Sequence, residues 1–323
     1  MLRVLRQSET GLRQVDPEDI SDRDWQMPPD AVWIDLTQPN RAEELAMEAA
    51  LGVNLPTREE MAEIEVSSRL YQDHGATFMI ATLLTNAEGE QPRAVPVTFV
   101  LVKDKLVTIR YDEPRAFSAY AAQIERQPVP EHSGVHVFLG LIDAIVDRIS
   151  DVLEHASEEV EEISRTIFDA QRKGRLEQIL NRLGRVNMVM AKGRESLVSL
   201  ARLTSFAALA DEIEASKDCQ EHLTSLKSDV QSLTDHVAYQ SGNITFLLDA
   251  ALGFIGIEQN SLSKIFSVAS VVFLPATLLA GIYGMNFEHM PELHEAWAYP
   301  LVLVAMVVVM VGPLVWMRRR GWL

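Results

Sequence analysis

Two long runs without a charged side chain lie back to back near the C-terminal end of this 323-residue chain. Ile265 to Ile282 covers eighteen positions and Ala298 to Met317 covers twenty. A helix rises about 1.5 Å per residue, so about twenty apolar residues cross a hydrocarbon layer roughly 30 Å thick. A buried helical hairpin in a soluble protein is the other use of such runs. The residues at their ends argue for the membrane: Tyr283, Phe287, Trp297, Tyr299 and Trp316 sit where interfacial aromatics belong. Two membrane-crossing helices joined by a short polar loop are therefore expected, with lipid around them.

Charge sets the expected orientation. No Lys or Arg occurs between Lys264 and Arg318; the loop instead carries Glu288, Glu292 and Glu295, and Arg318, Arg319 and Arg320 follow the second run. The positive-inside rule then places both termini in the cytoplasm and the acidic loop outside, as in a multi-pass protein of the inner (plasma) membrane. Met1 to Arg6 has no apolar run and does not read as a signal peptide. The net charge of −17 belongs to the part before the runs, where 264 residues hold 26 basic and 43 acidic groups. That balance lacks the basic footprint a phosphate backbone requires, which excludes nucleic acid as a partner. It suits a surface that gathers cations, although acidity kept for solubility explains it equally well. The single cysteine, Cys219, rules out an intrachain disulfide and a thiolate cluster, and fits a reduced cytosol. There is no P-loop, HExxH or GxSxG, and no enzyme is expected.

Ahead of the runs the chain divides by period. Residues 1–135 read as a cytosolic α/β domain. Val32 to Leu36 is a strand, Arg41 to Leu51 a helix, and Thr57 to Val66 a second helix with Thr57 near its N-cap. Thr77 to Leu84 is a β-rich run, and Val97–Val102 and Leu106–Tyr111 flank a hairpin turn at Lys103-Asp104-Lys105. Residues 136–216 read as antiparallel long helices. Ile142, Ile145, Ile149, Val152, Ala156, Val160, Ile163 and Ile167 mark the first, Arg172-Lys173-Gly174 the turn, and Leu176, Ile179, Leu183, Val186, Met190, Leu197 and Leu200 the second. A third helix carries Leu223, Leu226, Val230, Leu233, Val237, Ile244 and Leu247, and the heptad spacing predicts coiled-coil packing. No proline falls between Lys217 and Leu274, so this stalk helix is expected to run over 217–283 into the first span, about 262–283. The loop is 284–297, the second span 298–317 and the basic tail 318–323.

One face of that long helix has its own composition. Asp249, Gly253, Gly256, Asn260, Ser263, Ser267, Ser270, Leu274, Thr277, Gly281 and Gly284 follow one another at steps of three and four. Ile265, Val268, Val271, Val272, Leu278 and Leu279 lie on the opposite faces. A polar seam in a membrane helix faces protein or water rather than lipid. Close helix packing through small residues uses the same side chains, with Ser and Thr bonding back to their own backbone. The seam ends at Gly284-Met285-Asn286, in a short connection where amide and backbone oxygens can form an ion-selecting mouth, and this favours a pore. Within the pore reading, Leu274 is an apolar constriction and Glu288 and Glu292 draw cations to the mouth. His289 and His294 bracket Glu292 but read better as a solvated loop.

The words of the loop carry a resemblance. Tyr283-Gly284-Met285-Asn286-Phe287, then Met290-Pro291-Glu292-Leu293, with Ile257-Glu258-Gln259-Asn260, Phe273-Leu274-Pro275 and the ending Gly321-Trp322-Leu323, resembles the CorA family of magnesium channels. Weaker echoes upstream, such as Pro56 to Met61 and Ile64 to Arg69, extend it over the whole chain. The resemblance implies a homopentameric funnel, an α+β cytosolic domain leading into long helices, with the first span lining the pore and Gly284, Met285 and Asn286 as the filter. It implies passage of hydrated Mg²⁺, also Co²⁺ and Ni²⁺, driven inward by the membrane potential. Family pore positions fall on Asp249, Asn260, Leu274, Thr277 and Asn286. A family inner gate falls on Phe266, next to the seam position Ser267, and Ser263 stands where members often carry a larger apolar residue. Cytosolic Mg²⁺ bound between subunits at carboxylates is also implied, with Glu221, Asp229 and Asp235 as candidate ligands. Two other functions fit the outline. One is a zinc transporter of the related ZntB type, a branch that typically departs from Gly-Met-Asn. The other is a membrane-anchored metal sensor, which has no need of a hydroxyl seam.

Overall fold

The computed structural model describes residues 2–8, 11–15, 27–63, 65–89, 91–126, 133–169, 175–285, 290–291 and 295–322. Residues 1–248 form one compact unit and 249–323 another.

The first unit is built on a seven-stranded sheet of β1 (Leu2–Ser8), β2 (Gly11–Val15), β3 (Ala31–Thr37), β4 (Leu70–Asp73), β5 (Ala76–Thr85), β6 (Arg93–Val102) and β7 (Lys105–Arg110). Its order is β2-β1-β3-β7-β6-β5-β4. Only β3 and β7 pair in parallel among these neighbours, Ile34 opposite Val107 and Leu36 opposite Ile109. Alternation sends these four side chains, with Phe78, Ile80 and Val100, to one face. There they pack with Met47 and Leu51 of α1 (Arg41–Leu51) and Met61 of α2 (Arg58–Met61). The other face carries Trp33 and Phe99. They meet Phe117 and Tyr120 of α4 (Arg115–Arg126) and Phe138 of α5 (Gly134–Phe168), with ring centroids 5.9–6.3 Å apart.

That second face also holds a buried charge pair. Asp35 accepts from Arg110 Nη2 at 2.8 Å and from Thr108 Oγ1 at 2.8 Å, and Trp33 Nε1 donates to Thr108 Oγ1 at 3.0 Å. The Arg110 guanidinium lies over the Phe117 ring at 4.9 Å. Each carboxylate oxygen therefore has a donor, which is the condition for keeping a charge in a core.

Local chemistry explains the elements that match expectation. Asn40 and Thr57 each form a capping box, with Glu43 and Glu60 bonding back to the cap. Lys103 and Asp104 form a two-residue hairpin at φ 49° and 62°, the left-handed pair that matches strand twist. The next residue, Lys105, donates to the carbonyls of Ala31 at 2.6 Å and Pro29 at 3.0 Å. Gly134 N donates to Asp104 O at 2.7 Å, and a Cβ on Gly134 would stand 2.3 Å from the Lys105 carbonyl carbon. The first residue of α5 is a glycine because the helix starts against backbone.

Other expectations are corrected. The helix over Thr57 to Val66 is two pieces, α2 and α3 (Val66–Arg69). Arg69 Nε bonds the Glu63 carbonyl, and Val66, Ser67 and Ser68 are poor helix formers. In α5, Leu153 is buried and its neighbour Val152 is only half-buried, a shift of one helical position. The strands β1, β2 and β4 and the helix α4 were not expected. Arg3 and Arg6 interrupt the apolar pattern of β1. The turn assigned to Arg172-Lys173-Gly174 lies outside the described residues.

The long helices follow the predicted spacing. α6 (Leu176–Ala207) buries Ile179, Leu183, Val186, Met190, Leu197 and Leu200. Arg182 on it bonds Glu159 at 2.6 Å and Glu162 at 2.8 Å on α5, which holds the Glu159 carboxyl below its usual range. After the short α7 (Asp211–Glu214), α8 (Lys217–Tyr283) runs for 67 residues, about 100 Å. It meets α5 through Ser157 Oγ and His236 Nε2 at 2.9 Å and through Phe168 stacked on Phe246. Asp147 on α5 is pushed above the usual carboxylate range, first by burial, then by Asp143, Asp151 and Asp229. The second unit adds α9 (Ala298–Arg319). Both α8 and α9 are long and apolar enough to cross a membrane.

Two expected outcomes test this packing. Arg110→Met leaves Asp35 charged without its partner and is expected to cost about 3–5 kcal/mol in urea unfolding of the detergent-solubilised protein; a loss within experimental error would show the pair to be dispensable. For Asp147, the raised pKa favours the protonated form in the fold, so its stabilising contribution is lost as pH rises through that pKa. Asp147→Asn is therefore expected to melt higher than the parent at about pH 7, the gap closing towards about pH 4. A gap independent of pH would remove the electrostatic account.

Candidate ion pathway

A helix that passes through hydrocarbon has to satisfy its own hydrogen bonds. In α8 the hydroxyls of the seam do so within the helix. Ser267 Oγ donates to the Ser263 carbonyl at 2.9 Å, Ser270 Oγ to Phe266 at 2.9 Å and Thr277 Oγ1 to Phe273 at 2.8 Å. Each hydroxyl spends its proton on the backbone one turn earlier, and its oxygen lone pairs remain free to accept. The seam is thus a row of acceptors. Such a row suits the outward-pointing protons of a hydrated cation's water shell. Back-bonded hydroxyls also occur in simple helix packing, so the orientation of the seam has to separate the two uses.

The burial pattern supplies that orientation. Val268, Ala269, Val272, Pro275, Ala276 and Leu279 are half-buried, and so are Val302, Ala305, Met306, Val309, Met310, Pro313 and Leu314 on α9. At about 100° per residue, the half-buried stripe on α8 lies roughly 180° from the centre of the seam. Asp249, Asn260, Ser263, Ser267, Ser270, Leu274, Thr277, Gly281 and Gly284 are all exposed, Leu274 at 71%. Within one chain, then, the covered side of the first span is the opposite side, and the seam has no intrachain cover. Phe266 is also 71% exposed, one helical step of about 100° from Ser267 and at the edge of the seam.

Proline contributes to the same region. Pro275 has no N–H, so the Val271 carbonyl lacks its helical donor, yet α8 continues to Tyr283. Pro313 does the same in α9. Both lie on the half-buried stripes, where a neighbouring helix limits the cost of a freed carbonyl.

The end of the helix gives Gly284 a specific reason. Its N–H donates to the Ala280 carbonyl at 2.9 Å, and a Cβ on it would stand 2.9 Å from that same oxygen. Gly284 is not in the left-handed region; what it provides is room for a close approach to the Ala280 carbonyl. Met285, whose N–H reaches the Ile282 carbonyl at 3.3 Å, is 45% exposed. Asn286, Glu288, His289, Glu292 and His294 lie outside the described residues.

The three carboxylates considered as regulatory ligands do not come together in one chain. Glu221 pairs with Lys217 at 3.2 Å, Asp235 accepts from Gln231 at 3.0 Å, and Asp229 faces the α5 ladder of Asp143, Asp147 and Asp151. Among the described residues no group of three or more His, Cys, Asp or Glu is disposed to hold a metal ion. The ladder itself escaped the sequence reading, although its signal, Asp at every fourth position of a helix, is plain in the sequence.

Comparison with known proteins gives these features a family. The sequence pattern described as "CorA-like Mg2+ transporter protein" matches residues 29–319. The Magnesium transport protein CorA of Haemophilus influenzae is 32% identical over 293 residues, covering 91% of this chain and 92% of that protein. The complete structure of the CorA magnesium transporter from Methanocaldococcus jannaschii superposes with a TM-score of 0.76 at 19% identity, covering 100% of this chain and 99% of the other. The ZntB cytoplasmic domain from Vibrio parahaemolyticus matches with a TM-score of 0.55 at 11% identity, over 79% of this chain and 97% of that one, a likeness of fold alone. With a match of this extent and two helices able to span a membrane, the chain belongs to the CorA-like Mg²⁺ transporter family.

Proposed function

We propose that this chain is one subunit of a homo-oligomeric channel, a pentamer by family likeness, that admits hydrated Mg²⁺ across the inner membrane. The observation that carries the proposal is the exposed seam of α8, which turns its acceptors away from the stripe that is covered within the chain. Copies arranged with their seams inward would enclose a column lined by Asp249, Asn260, Ser263, Ser267, Ser270 and Thr277, with Leu274 as a hydrophobic constriction. Mg²⁺ sheds its waters reluctantly and usually keeps several, so neutral acceptors suit it better than a ring of charge that would strip and hold it. The filter in this reading is Gly284-Met285-Asn286, with the Asn286 amide oxygen and the Gly284 carbonyl accepting from first-shell waters. Both termini would be cytoplasmic. An inside-negative potential would then drive a divalent ion inward by roughly 4.6 kcal/mol per 100 mV. Co²⁺ and Ni²⁺, similar in charge and hydration, would be admitted as well. Cytosolic Mg²⁺ at carboxylates between copies is the proposed brake.

Influx into liposomes loaded with a Mg²⁺-sensitive dye, at an inside-negative potential, is the direct test. The parent protein is expected to conduct. Asn286→Ala is expected to reduce Mg²⁺ influx about tenfold or to lose selection against other ions, since about 1.4 kcal/mol is the scale of one hydrogen bond. Selective, undiminished influx in that variant would remove the amide from the filter. A parent oligomer that passes Zn²⁺ but no Mg²⁺ would favour zinc transport, and one that passes neither would favour sensing.

A second variant separates backbone from side chain. Gly284→Ala places a methyl group against the Ala280 carbonyl and is expected to impair influx while leaving oligomer assembly intact on size-exclusion chromatography. Full influx would show that the close approach at Gly284 does not shape the mouth.

A further inference from the structure

The first unit has a basic cavity that the channel reading does not use. It measures about 520 Å³ and lies where the end of α3 and strands β4 and β5 meet α6. Arg69, Arg194 and Arg202 line it, against the single carboxylate of Glu195. In a chain with 46 acidic and 29 basic side chains, three guanidinium groups at one cavity need an explanation. Glu195 is one carboxylate for the three, and it is also engaged by Lys192 at 2.8 Å. Several arginines elsewhere are paired: Arg110 with Asp35, Arg115 and Arg148 with Glu88, Arg182 with Glu159 and Glu162. Among the described residues none of the three cavity arginines forms an ion pair.

The uncharged polar groups of the cavity are donors too. Thr82 Oγ1 accepts from Arg69 Nη1 at 2.9 Å, and Ser199 Oγ accepts from the Thr82 backbone N–H at 2.9 Å. Both oxygens are used as acceptors in these bonds, which leaves each hydroxyl proton to give. Arg69 is fixed from behind by its bond to the Glu63 carbonyl, so its fork is pre-positioned. Burial, the largest cause, and the charge of Arg202 hold the Arg69 guanidinium below its ordinary pKa, against the opposing pull of the Glu195 carboxylate. Leu70, Ile80 and Val198 form an apolar wall beside these groups. Planar forks match the oxygens of a phosphate, with Arg69 held in place and Arg194 and Arg202 on α6 beside it, and the volume is that of a small-ligand pocket.

We propose that this cavity binds a phosphate-bearing small molecule through Arg69, Arg194 and Arg202. The site lies on the α6 face of the sheet, none of its lining residues belongs to α8, and its occupancy is independent of the channel reading.

The test is isothermal titration of the full-length protein in detergent, in chloride buffer free of Mg²⁺, with inorganic phosphate, AMP and adenosine as probes. Arg194→Gln/Arg202→Gln removes two charges from exposed side chains and leaves the bonds of Arg69 to Glu63 and Thr82 in place. Inorganic phosphate or AMP is expected to bind the parent protein, and the affinity to fall about tenfold or more in the double variant at unchanged melting temperature. Absence of binding by both phosphate probes at millimolar concentration would overturn the proposal. So would affinity unchanged in the variant, or adenosine binding as tightly as AMP. A change of oligomeric state in the variant without any phosphate binding to the parent would assign the arginines to contact between copies instead.

Discussion

Hydrocarbon offers no hydrogen bonds, and the form of the C-terminal unit follows from that single fact. Its two spans are helices because a helix alone closes its backbone bonds within one segment. Ser267, Ser270 and Thr277 bond back to the Ser263, Phe266 and Phe273 carbonyls one turn earlier, as Thr224, Thr234, Ser241 and Thr245 do in the earlier part of α8. This local satisfaction has a consequence beyond stability. A hydroxyl that has given its proton to the backbone can only accept, so a row of such groups presents one sign of partial charge. Pro275 and Pro313 are tolerated on the half-buried stripes, and the acceptor row is left on the opposite side of α8.

The N-terminal unit answers a different problem, which is how to hold charge in an apolar sheet. Asp35 and Arg110 lie on the neighbouring strands β3 and β7, and Thr108, Trp33 and Phe117 complete their surroundings. Two strands in parallel register bring residues 75 apart in sequence into one network. The hairpin at Lys103-Asp104 then docks the start of α5 on the same edge, through a glycine that leaves room for backbone to touch backbone. From that start α5 runs out along α6 and α8, and its acidic ladder meets Asp229. Burial, and after it the repulsion of Asp143, Asp151 and Asp229, raises the proton affinity of Asp147 there.

Much of this was legible before any coordinates. Periods of three and four located α5, α6 and α8, because a helix long enough to repeat its pattern many times averages out local exceptions. Arg41 to Leu51 matches its expected bounds to the residue, and Asn40 and Glu43 form a capping box at its start. The failures have equally local causes. β1 mixes arginines into its core-facing pattern. The Thr57 helix broke where Arg69 captured the Glu63 carbonyl, a contact between residues whose meeting depends on the sheet.

For the candidate pathway the division is sharper. The sequence by itself determined that two segments cross a membrane, that one carries a polar seam, and that this seam runs to Gly-Met-Asn, since composition and spacing are written in the chain. It also carried the family, because the motif words survive in linear order. Only the tertiary structure decided that the seam lies opposite the covered stripe of its own span. Only there did Gly284 show its reason, and only there did Arg69, Arg194 and Arg202 converge while Glu221, Asp229 and Asp235 stayed apart. Period assigns residues to the faces of one helix, but which face is covered depends on what folds against it, and that is a property of distant residues brought together.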